Sequence, residues 1–342
     1  LIENSLDAEA SKIDIHILKG GHDLIQVTDN GCGIKDIYFR KAFQRHATSK
    51  IFNINDLNNI QTLGFRGEAL PSIASVAMVS ARSSVDGICS YELNIHGSKE
   101  KSYKKVAGLK GSTFKVNNLF YNTPARRKFL KKPANEQALI NKVVRRFMLC
   151  RPDVDFKMRV NNKIVYNVQR KELSKRISDI YGTDYGRGLL RVKMDKDPYC
   201  ITGFIGNLSM IKKRQGDQFL FLNGRYIQNR LLNSAIYSSY KTLIKRGEFP
   251  FFTISLNMPM KLYDINVHPS KLEVRFVNEW QVYYVIKSSI ASALQDILKV
   301  IPDFSNYKNN TTLLHNQTDH INFNLKPSEA IKHLEEAPHR RE

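Results

Sequence analysis

Three things are scarce in this sequence: cysteine, long apolar runs and acidic side chains. The four cysteines lie far apart and form no CxxC pair: Cys32, Cys89, Cys150 and Cys200. That spacing argues against a zinc site or a disulfide framework and fits a reducing cytosol. No run approaches the roughly 18 apolar residues that a membrane helix needs, and no signal peptide opens the chain. Membrane-spanning and disulfide-stapled classes of protein are therefore not expected.

Acidic residues are outnumbered, with 32 Asp and Glu against 53 Lys and Arg and a net charge of +21. The imbalance is local. Residues 1–98 hold 9 Lys or Arg and 11 Asp or Glu, whereas residues 99–176 hold 22 and 5. A surplus this concentrated is typical of a polyanion binder, and nucleic acid is the expected partner. The alternative is a lysine-rich solvated surface, which the abundant Ile, Asn and Lys also allow.

The stretch QVTDNGCGI, residues 26–34, ends an apolar run on a carboxylate and continues at once with two glycines. Asp29, Gly31 and Gly33 are compatible with an ordinary tight turn, because Asp-Asn-Gly is common turn chemistry. They are equally compatible with a ligand site. Glycine lets the backbone approach a planar or phosphorylated group closely, and a carboxylate can accept a hydrogen bond from the edge of a base.

A length of 342 residues suggests two domains and a tail. We place the boundaries at 1–170, 171–302 and 303–342, the last being a polar linker without periodicity. In the first part, hydrophobic periodicity predicts a helix over 1–10, a hairpin over 12–27, a loop over 44–61, a helix that starts after Gly67, strands at 91–95 and 113–116, a helix over 135–150, and strands at 156–160 and 163–168. In the second part it predicts strands at 219–222 and 226–227, a helix over 230–244, strands at 251–258 and 272–276, and a helix over 280–298.

Three glycine-containing elements follow one another: Asp29 to Gly33, Gly64 to Gly67, and Gly111 with Ser112. A glycine loop that opens a helix presents unpaired backbone N–H groups and a positive dipole end, which suit phosphate. The Walker pattern GxxxxGK[ST] is absent, and the dinucleotide pattern GxGxxG fails at its third glycine. Each element alone is a weak signal.

Six segments in order carry a more specific signal: IENSLDA (2–8), DNGCGI (29–34), RHATSK (45–50), LGFRGEAL (63–70), FYNTPARRKFL (120–130) and NVHPSKLEVRF (266–276). With them, residues 1–302 closely resemble the N-terminal region of the bacterial MutL family of DNA mismatch-repair ATPases. That family shares its ATPase fold with gyrase B, heat-shock chaperones and histidine kinases. GFRGEAL and NTPARR are specific to mismatch repair, whereas the Asp and Gly elements mark only the superfamily.

The resemblance implies an α/β (α+β) fold. The first domain would be a Bergerat-type ATPase α/β sandwich, with helices on one face of a mixed sheet. The second would resemble domain 2 of ribosomal protein S5, with transducer and DNA-binding roles. ATP and Mg²⁺ would be the cofactors.

The resemblance also implies roles for single residues. Asn4 would bind Mg²⁺, Asp29 would accept the adenine amine with support from the Ser112 hydroxyl, and Gly31 and Gly33 would let the backbone approach the nucleotide. Residues 44–67 would form a lid over the phosphates. The lid residues nearest the phosphates would be Lys50, Gly64, Arg66 and Gly67. Lys271 would reach the γ-phosphate as the catalytic cation. Without the resemblance, Asn4 is equally a helix-surface amide and Lys271 a solvated loop lysine.

Four arginines are candidate DNA contacts: Arg126, Arg127, Arg225 and Arg230. For Arg126 and Arg127 a structural role, capping a helix or pairing internally, remains an alternative. Arg230 lies where the family has a DNA-contacting arginine. Phosphate contacts of this kind give salt-dependent binding with little sequence preference.

The superfamily places a general-base Glu one helical turn before the metal-binding Asn. Counted back from Asn4, that position precedes Leu1, so we expect this chain to hydrolyse ATP little or not at all. Glu3 is a poor substitute, because adjacent helix residues point about 100° apart. The chain opens without an initiator Met and looks like the interior of a fold. It also ends before the dimerisation domain of the family.

The resemblance implies DNA, MutS, a second copy of the chain, and a downstream repair nuclease and helicase as partners, with a cytoplasmic, nucleoid-associated location. A topoisomerase ATPase domain is a rival interpretation, but GFRGEAL argues against it. A DNA-binding scaffold with a vestigial ATPase is a rival of another class, and nucleotide binding would separate the two.

Overall fold

The computed structural model describes residues 1–45, 47, 67–240, 243–264 and 272–300. Residues 1–298 form one compact unit. Its two main sheets are an eight-stranded sheet built from residues 12–168 and a five-stranded sheet built from residues 189–257. The predicted loop over 44–61 and tail over 303–342 lie mostly or wholly outside the described residues.

The first sheet and its helices come from the first half of the chain. The helices are α1 (Ile2–Asp7), α2 (Asp36–Phe39), α3 (Ala69–Val76), α4 (Pro124–Lys128) and α5 (Pro133–Cys150). The strands are β1 (Lys12–Leu18), β2 (Leu24–Asp29), β3 (Met78–Ser84), β4 (Cys89–His96), β5 (Lys99–Ala107), β6 (Gly111–Asn117), β7 (Asp155–Val160) and β8 (Lys163–Val168).

The strand order of this sheet is β5-β4-β3-β6-β2-β1-β7-β8. Neighbouring strands are antiparallel except for β1 and β7, which run parallel. A parallel pair needs a long crossover, and here the connection between β1 and β7 includes α5. The sheet is therefore mixed, as expected from the sequence.

One face of the sheet is apolar and covered by helices. Ile13, Ile15 and Ile17 of β1 all point to it, because side chains alternate along a strand. Residues of α1, α3 and α5 pack on the same face in two adjoining clusters, among them Leu6, Ala74, Val144 and Met148. The opposite face carries polar side chains in register, among them Asp14, Thr28, Thr113, Arg82 and Glu92.

The second half of the chain supplies the remaining elements. They are α6 (Leu173–Tyr181), α7 (Thr183–Arg187), β9 (Leu189–Lys196), β10 (Tyr199–Gly206), β11 (Gln218–Leu222), β12 (Arg225–Ile227), α8 (Arg230–Ser239), β13 (Phe252–Asn257), β14 (Tyr263–Asp264), β15 (Arg275–Phe276) and α9 (Glu279–Val300). The five-stranded sheet has the order β12-β11-β13-β10-β9. Strands β14 and β15 form a separate two-stranded pair.

The five-stranded sheet is buried on both faces, which explains why β11 is almost wholly apolar. One face packs against α8 and α9 through residues such as Ile236 and Ile286. The other packs against α6 and the end of α5 through residues such as Ile177 and Leu149.

Arg176 of α6 fixes the junction between the two sheets. Its side chain is fully buried. The guanidinium donates hydrogen bonds of 2.8 to 3.4 Å to the backbone carbonyls of Met148, Pro152, Val154 and Gln169. These carbonyls belong to the last turn of α5 and to the segments around β7 and β8. A buried cation needs such acceptors, so Arg176 ties α6 to the edge of the first sheet.

The structure departs from the sequence predictions in several places. The helix predicted after Gly67 ends at Val76, and the interpretation of the following residues as helix is wrong, since Met78–Ser84 is strand β3. The helix predicted over 230–244 ends at Ser239. Four elements were not predicted at all: β5, β9, β10 and α6. The domain boundaries at 170 and 302 stay predictions.

Candidate functional site

A row of cross-strand neighbours changes character halfway across the eight-stranded sheet. The row runs Phe156, Ile13, Asp29, Ser112, Ser83 over five adjacent strands, all on the helix-covered face. Its first two side chains are core residues. The next three are polar and yet only 7%, 7% and 1% exposed, respectively. Burying three polar groups in succession is unfavourable unless each is hydrogen-bonded. The row therefore marks a site within an otherwise apolar face.

The Asp29 carboxylate lies at the centre of this site, at the last position of β2. Its Oδ1 accepts hydrogen bonds from the backbone N–H groups of Gly31, at 3.0 Å, and Ser112, at 3.2 Å. Its Oδ2 accepts one from the Ser5 hydroxyl at 2.8 Å. A carboxylate can accept about four hydrogen bonds. The described residues therefore fix its orientation and leave one acceptor position for a ligand donor.

Ser112 and Ser83 extend the polar network. The contact of Ser112 with Asp29 is made by its backbone N–H, whereas its hydroxyl lies 2.9 Å from the Ser83 hydroxyl. Ser83 Oγ accepts a hydrogen bond from the Ile34 N–H at 2.8 Å and donates one to the Gly111 carbonyl at 3.2 Å. The loop after β2 is thereby joined to β3 and β6.

Gly31 and Gly33 are needed where they lie. A Cβ on Gly31 would stand 2.6 Å from the Ala8 carbonyl oxygen. Gly33 has a φ of +70°, and its Cβ would stand 2.1 Å from the carbonyl oxygen of Ser84. Both neighbours are backbone atoms, which cannot swing aside as a side chain can. The loop therefore lies against α1 and β3 at a distance that only glycine allows.

The loop that follows β3 is closed by its own hydrogen bonds. Ser84 Oγ donates to the Cys89 carbonyl at 2.6 Å and accepts from the Gly87 N–H at 3.0 Å. The Asp86 carboxylate accepts from the N–H groups of Ile88 and Cys89, and the Cys89 N–H, followed by that of Ile88, lowers the pKa of Asp86. This loop is the wall against which Gly33 packs.

Asn4 lies on α1, next to the Ser5 that binds Asp29. Its side chain is half-buried. An amide oxygen is a suitable ligand for a hard cation, and Mg²⁺ usually takes one or two protein ligands and completes its shell with water and substrate phosphates. The donor chemistry at this position therefore fits a Mg²⁺ ion held jointly with a triphosphate.

The structure brings together only some of the residues predicted for the nucleotide. Asp29, Gly31, Gly33 and Ser112 form one site, and Asn4 lies one residue from its Ser5 contact. Gly67 has a φ of +62° and shortly precedes α3, as expected for a loop that opens a helix. Lys50, Gly64, Arg66 and Lys271 lie outside the described residues.

The four arginines predicted to contact DNA have different surroundings. Arg126 and Arg127 are exposed on α4, and neither forms an ion pair with a described residue. Arg230 is exposed at the first position of α8. Arg225 is half-buried in β12, opposite Leu222. Exposure of the Arg126–Arg127 pair is what an electrostatic surface requires, and it leaves the predicted DNA contacts untested.

Ser5 and Ser83 are site residues that the sequence interpretation missed. Ser5 follows Asn4 on α1, and its contact with Asp29 spans 24 residues of sequence. Ser83 belongs to β3, a strand that was not predicted. A polar residue at the last positions of a recognised strand could have indicated Ser83, but only the pairing of β3 with β6 places it beside Ser112.

The fold and the site define a class of protein: an ATPase domain of the type shared by histidine kinases, gyrase B and HSP90. Residues 1–122 match the family model described as histidine kinase-, DNA gyrase B- and HSP90-like ATPase. Residues 177–295 match the model described as DNA mismatch repair protein, C-terminal domain. The predicted α/β fold class is thereby confirmed.

Two curated proteins named DNA mismatch repair protein MutL, from Clostridium perfringens and Chloroherpeton thalassium, are 41% and 37% identical to the chain. Each alignment covers 87% of this chain, and 45% and 47% of the respective relative. The chain therefore belongs to the MutL family of DNA mismatch repair proteins. It spans about half the length of the curated relatives it matches.

Solved structures give the same fold. The crystal structure of the N-terminal domain of a DNA repair protein has a TM-score of 0.76 at 25% identity, covering 88% of this chain and 94% of that one. The Aquifex aeolicus MutL ATPase domain complexed with ADP has a TM-score of 0.56 at 24% identity, covering 76% and 90%. Within the described residues, no helix of this chain is long and apolar enough to cross a membrane.

Proposed function

We propose that this chain is the nucleotide-binding region of a mismatch-repair ATPase, in which ATP binding and hydrolysis switch the protein between mismatch recognition and strand excision. The observation that carries the proposal is the Asp29 carboxylate. It is buried, held by three hydrogen bonds and left with an acceptor position. A preorganised acceptor of this kind suits the exocyclic amine of adenine.

The other residues would act around that contact. Gly31 and Gly33 would let the backbone lie against the nucleotide, and Ser112 would hold Asp29 in place through its amide and support the base through its hydroxyl. Asn4 would contribute an oxygen ligand to Mg²⁺, which neutralises phosphate charge when bound.

Four residues would act on the phosphates. Lys50, Gly64, Arg66 and Gly67 would belong to the lid over the phosphates. Glycines before α3 would expose backbone N–H groups at the positive end of that helix.

Lys271 would link the nucleotide to the second half of the chain. A lysine is a compact charge on a flexible stem, so it would reach the γ-phosphate of ATP and lose that contact in ADP. The second half of the chain would thereby distinguish the two nucleotides. Closing of the lid would bring two copies of the chain together, and hydrolysis would release them.

DNA would bind to the cationic surface that includes Arg126, Arg127, Arg225 and Arg230. The partners proposed from the family are MutS, a second copy of the chain, and a downstream nuclease and helicase. We propose a cytoplasmic location on the nucleoid, which would suit these partners.

Replacement of Asp29 by Asn tests the adenine contact. The amide oxygen can still accept from Gly31 and Ser112, and the Ser5 hydroxyl can turn from donor to acceptor, so the fold should tolerate the change. The new amide N–H would face the adenine amine, and ATP affinity should fall by about 1–3 kcal/mol. Binding is the right measurement, because the resemblance places the general base outside this sequence.

Asp155→Asn is a matched control, because Asp155 is a carboxylate at a strand end of the same sheet that accepts a backbone N–H, from Arg170 at 2.6 Å. Calorimetric titration with ATP and Mg²⁺ should show the loss in Asp29→Asn and not in Asp155→Asn. Equal ATP affinity in the wild-type protein and Asp29→Asn would remove adenine from this carboxylate. The rival scaffold interpretation requires that no ATP binding is detected in any of the three proteins.

A further inference from the structure

The segment Arg126–Lys132, here called the cationic segment, is the densest run of positive charge in the first half of the chain. Five of its seven residues are Arg or Lys, and none is acidic. All five are exposed, and within the described part of the chain none forms an ion pair. Elsewhere in the chain, exposed cations such as Lys19, Arg40 and Lys171 do pair with a carboxylate. The charge of this segment is therefore available to a ligand.

Phe129 stands in the middle of the cationic segment with 86% of its surface exposed. No aromatic ring among the described residues lies against it. A phenylalanine normally loses free energy by such exposure, of the order of 2 kcal/mol relative to burial. The ring thus gains nothing from the fold of this chain.

The segment is held in place at both ends. The Arg127 N–H donates to the Thr123 carbonyl at 3.0 Å, which forms the turn of α4. At the other end, the Lys131 N–H donates to the Glu136 carboxylate at 2.9 Å, and the Lys131 carbonyl lies 3.1 Å from His22 Nε2. Binding would therefore not require the segment to be ordered first, which lowers its entropic cost.

We propose that the cationic segment is a binding site for single-stranded nucleic acid, in which Phe129 stacks on an unpaired base while the flanking Arg and Lys side chains contact phosphates. The inference deepens the DNA binding proposed above and rests on it. Charge alone would suit any polyanion. An exposed ring among cations specifically matches a strand whose base faces are accessible, whereas the bases of a duplex are stacked on one another and offer only their edges.

The exposed aromatic residues of α9 provide a contrast. Trp280 is 61% exposed, but it lies 5.6 Å from the ring of Tyr283 on its own helix and directly follows the exposed acidic Glu279. It has ring partners and lacks a cationic run. The same degree of exposure without the charge carries no indication of nucleic acid.

The test measures the affinity of the full chain for three fluorescein-labelled probes: a single-stranded oligothymidylate, an abasic strand of the same length, and a duplex. Phe129→Ala should weaken binding of the oligothymidylate about tenfold, the middle of the range for one base–aromatic stack. Affinity for the abasic strand and the duplex should stay within about twofold. The dependence on salt should be unchanged, because all cations remain.

Phe129→Trp should keep the preference for the oligothymidylate, and Trp280→Ala should behave as the unaltered chain. In a Trp280→Phe background, the fluorescence of Phe129→Trp should be quenched by the oligothymidylate and not by the abasic strand. Each of these results supports stacking at residue 129.

Other outcomes overturn the inference. Equal losses for the three probes would show that Phe129 only shapes the segment. Binding of the segment to vesicles containing phosphatidylserine, or a loss of self-association in Phe129→Ala, with the preference for single strands unchanged, would assign the ring to a membrane or to a second copy. Absence of binding to any of the three probes by the unaltered chain would instead contradict the proposed DNA function itself.

Discussion

The Asp29 site and the cationic segment are opposite kinds of functional surface. In the first, each polar group is buried and held by neighbours on β2, β3, β6 and α1. In the second, the cations have no ion-pair partner among the described residues, and the central ring is exposed. The first presents a single acceptor in a fixed position, which suits a small ligand. The second presents charge over a surface, which suits a polyelectrolyte.

The difference predicts how mutations divide between stability and binding. A change within the Asp29 site should alter the free energy of unfolding, because the same hydrogen bonds hold the fold and the ligand acceptor. A change in the cationic segment should alter binding of nucleic acid while the free energy of unfolding stays constant. Four substitutions, taken in order of decreasing effect on stability, test this division.

The largest effect is expected for Gly33→Ala. The new Cβ would stand 2.1 Å from the Ser84 carbonyl oxygen at a φ of +70°, so the loop and the end of β3 must separate. We expect a loss of about 3 kcal/mol in the free energy of unfolding, with loss of ATP binding. Gly224→Ala is the matched control, since Gly224 has a φ of +77° but no atom within 4 Å of a new Cβ. It should cost about 1 kcal/mol. Equal losses in urea unfolding would show that the φ angle, and not the contact with β3, makes Gly33 necessary.

Ser5→Ala should have the next largest effect. The change removes a buried hydrogen bond of 2.8 Å to the Asp29 carboxylate and leaves Oδ2 without that donor. A hydrogen bond to a charged group contributes about 1.5–3 kcal/mol, and the better helix propensity of Ala offsets a few tenths. A net loss of about 2 kcal/mol is expected, together with weaker ATP binding. Ser234→Ala, an exposed serine on α8, is the control and should be neutral. An unchanged midpoint for Ser5→Ala would mean that Asp29 does not depend on α1.

Ser112→Ala should cost about 1 kcal/mol or less. Its hydroxyl contacts Ser83, which keeps its bonds to Ile34 and Gly111, and the Ser112 amide still donates to Asp29. ATP affinity should fall less than in Asp29→Asn, because only support of the base is lost. An ATP affinity equal to that of the unaltered chain would assign the whole contribution of Ser112 to its backbone amide.

The same two regions show what the sequence could and could not predict. The β1–β2 hairpin was predicted correctly because Ile13, Ile15 and Ile17 alternate over a half-buried strand. Strand β3 was missed because its buried positions include the small Ala81 in a sequence that also suits a helix. Strand β5 was missed because it is the edge strand of its sheet and carries lysines on both faces.

Missing β3 had a consequence for the site. Asp29 was identified from its place at the end of an apolar run. Ser83 was not, because its partnership with Ser112 depends on the register of β3 against β6, which are paired across the sheet. Phe129 shows the converse limit: an apolar letter in the sequence is usually a core residue, and only the structure places it outside.

The smallest effect on stability is expected for the double substitution Arg126→Gln and Arg127→Gln. Both side chains are exposed and form no ion pair with a described residue, so the free energy of unfolding should change by less than about 0.5 kcal/mol. Glutamine keeps the length of the side chain and removes only the charge. ATP affinity should be unchanged, since neither residue belongs to the Asp29 network.

Binding of DNA should change instead. Each phosphate contact that is lost lowers the slope of log affinity against log salt by about 0.7 to 0.9, so removal of two contacts should lower it by about 1.5, for duplex and single strand alike. Arg230→Gln should lower it by about half as much. Filter binding at several salt concentrations measures both. A double variant that loses stability while its salt slope stays constant would place Arg126 and Arg127 in the fold, as capping or internally paired residues, and would erase the contrast with the Asp29 site.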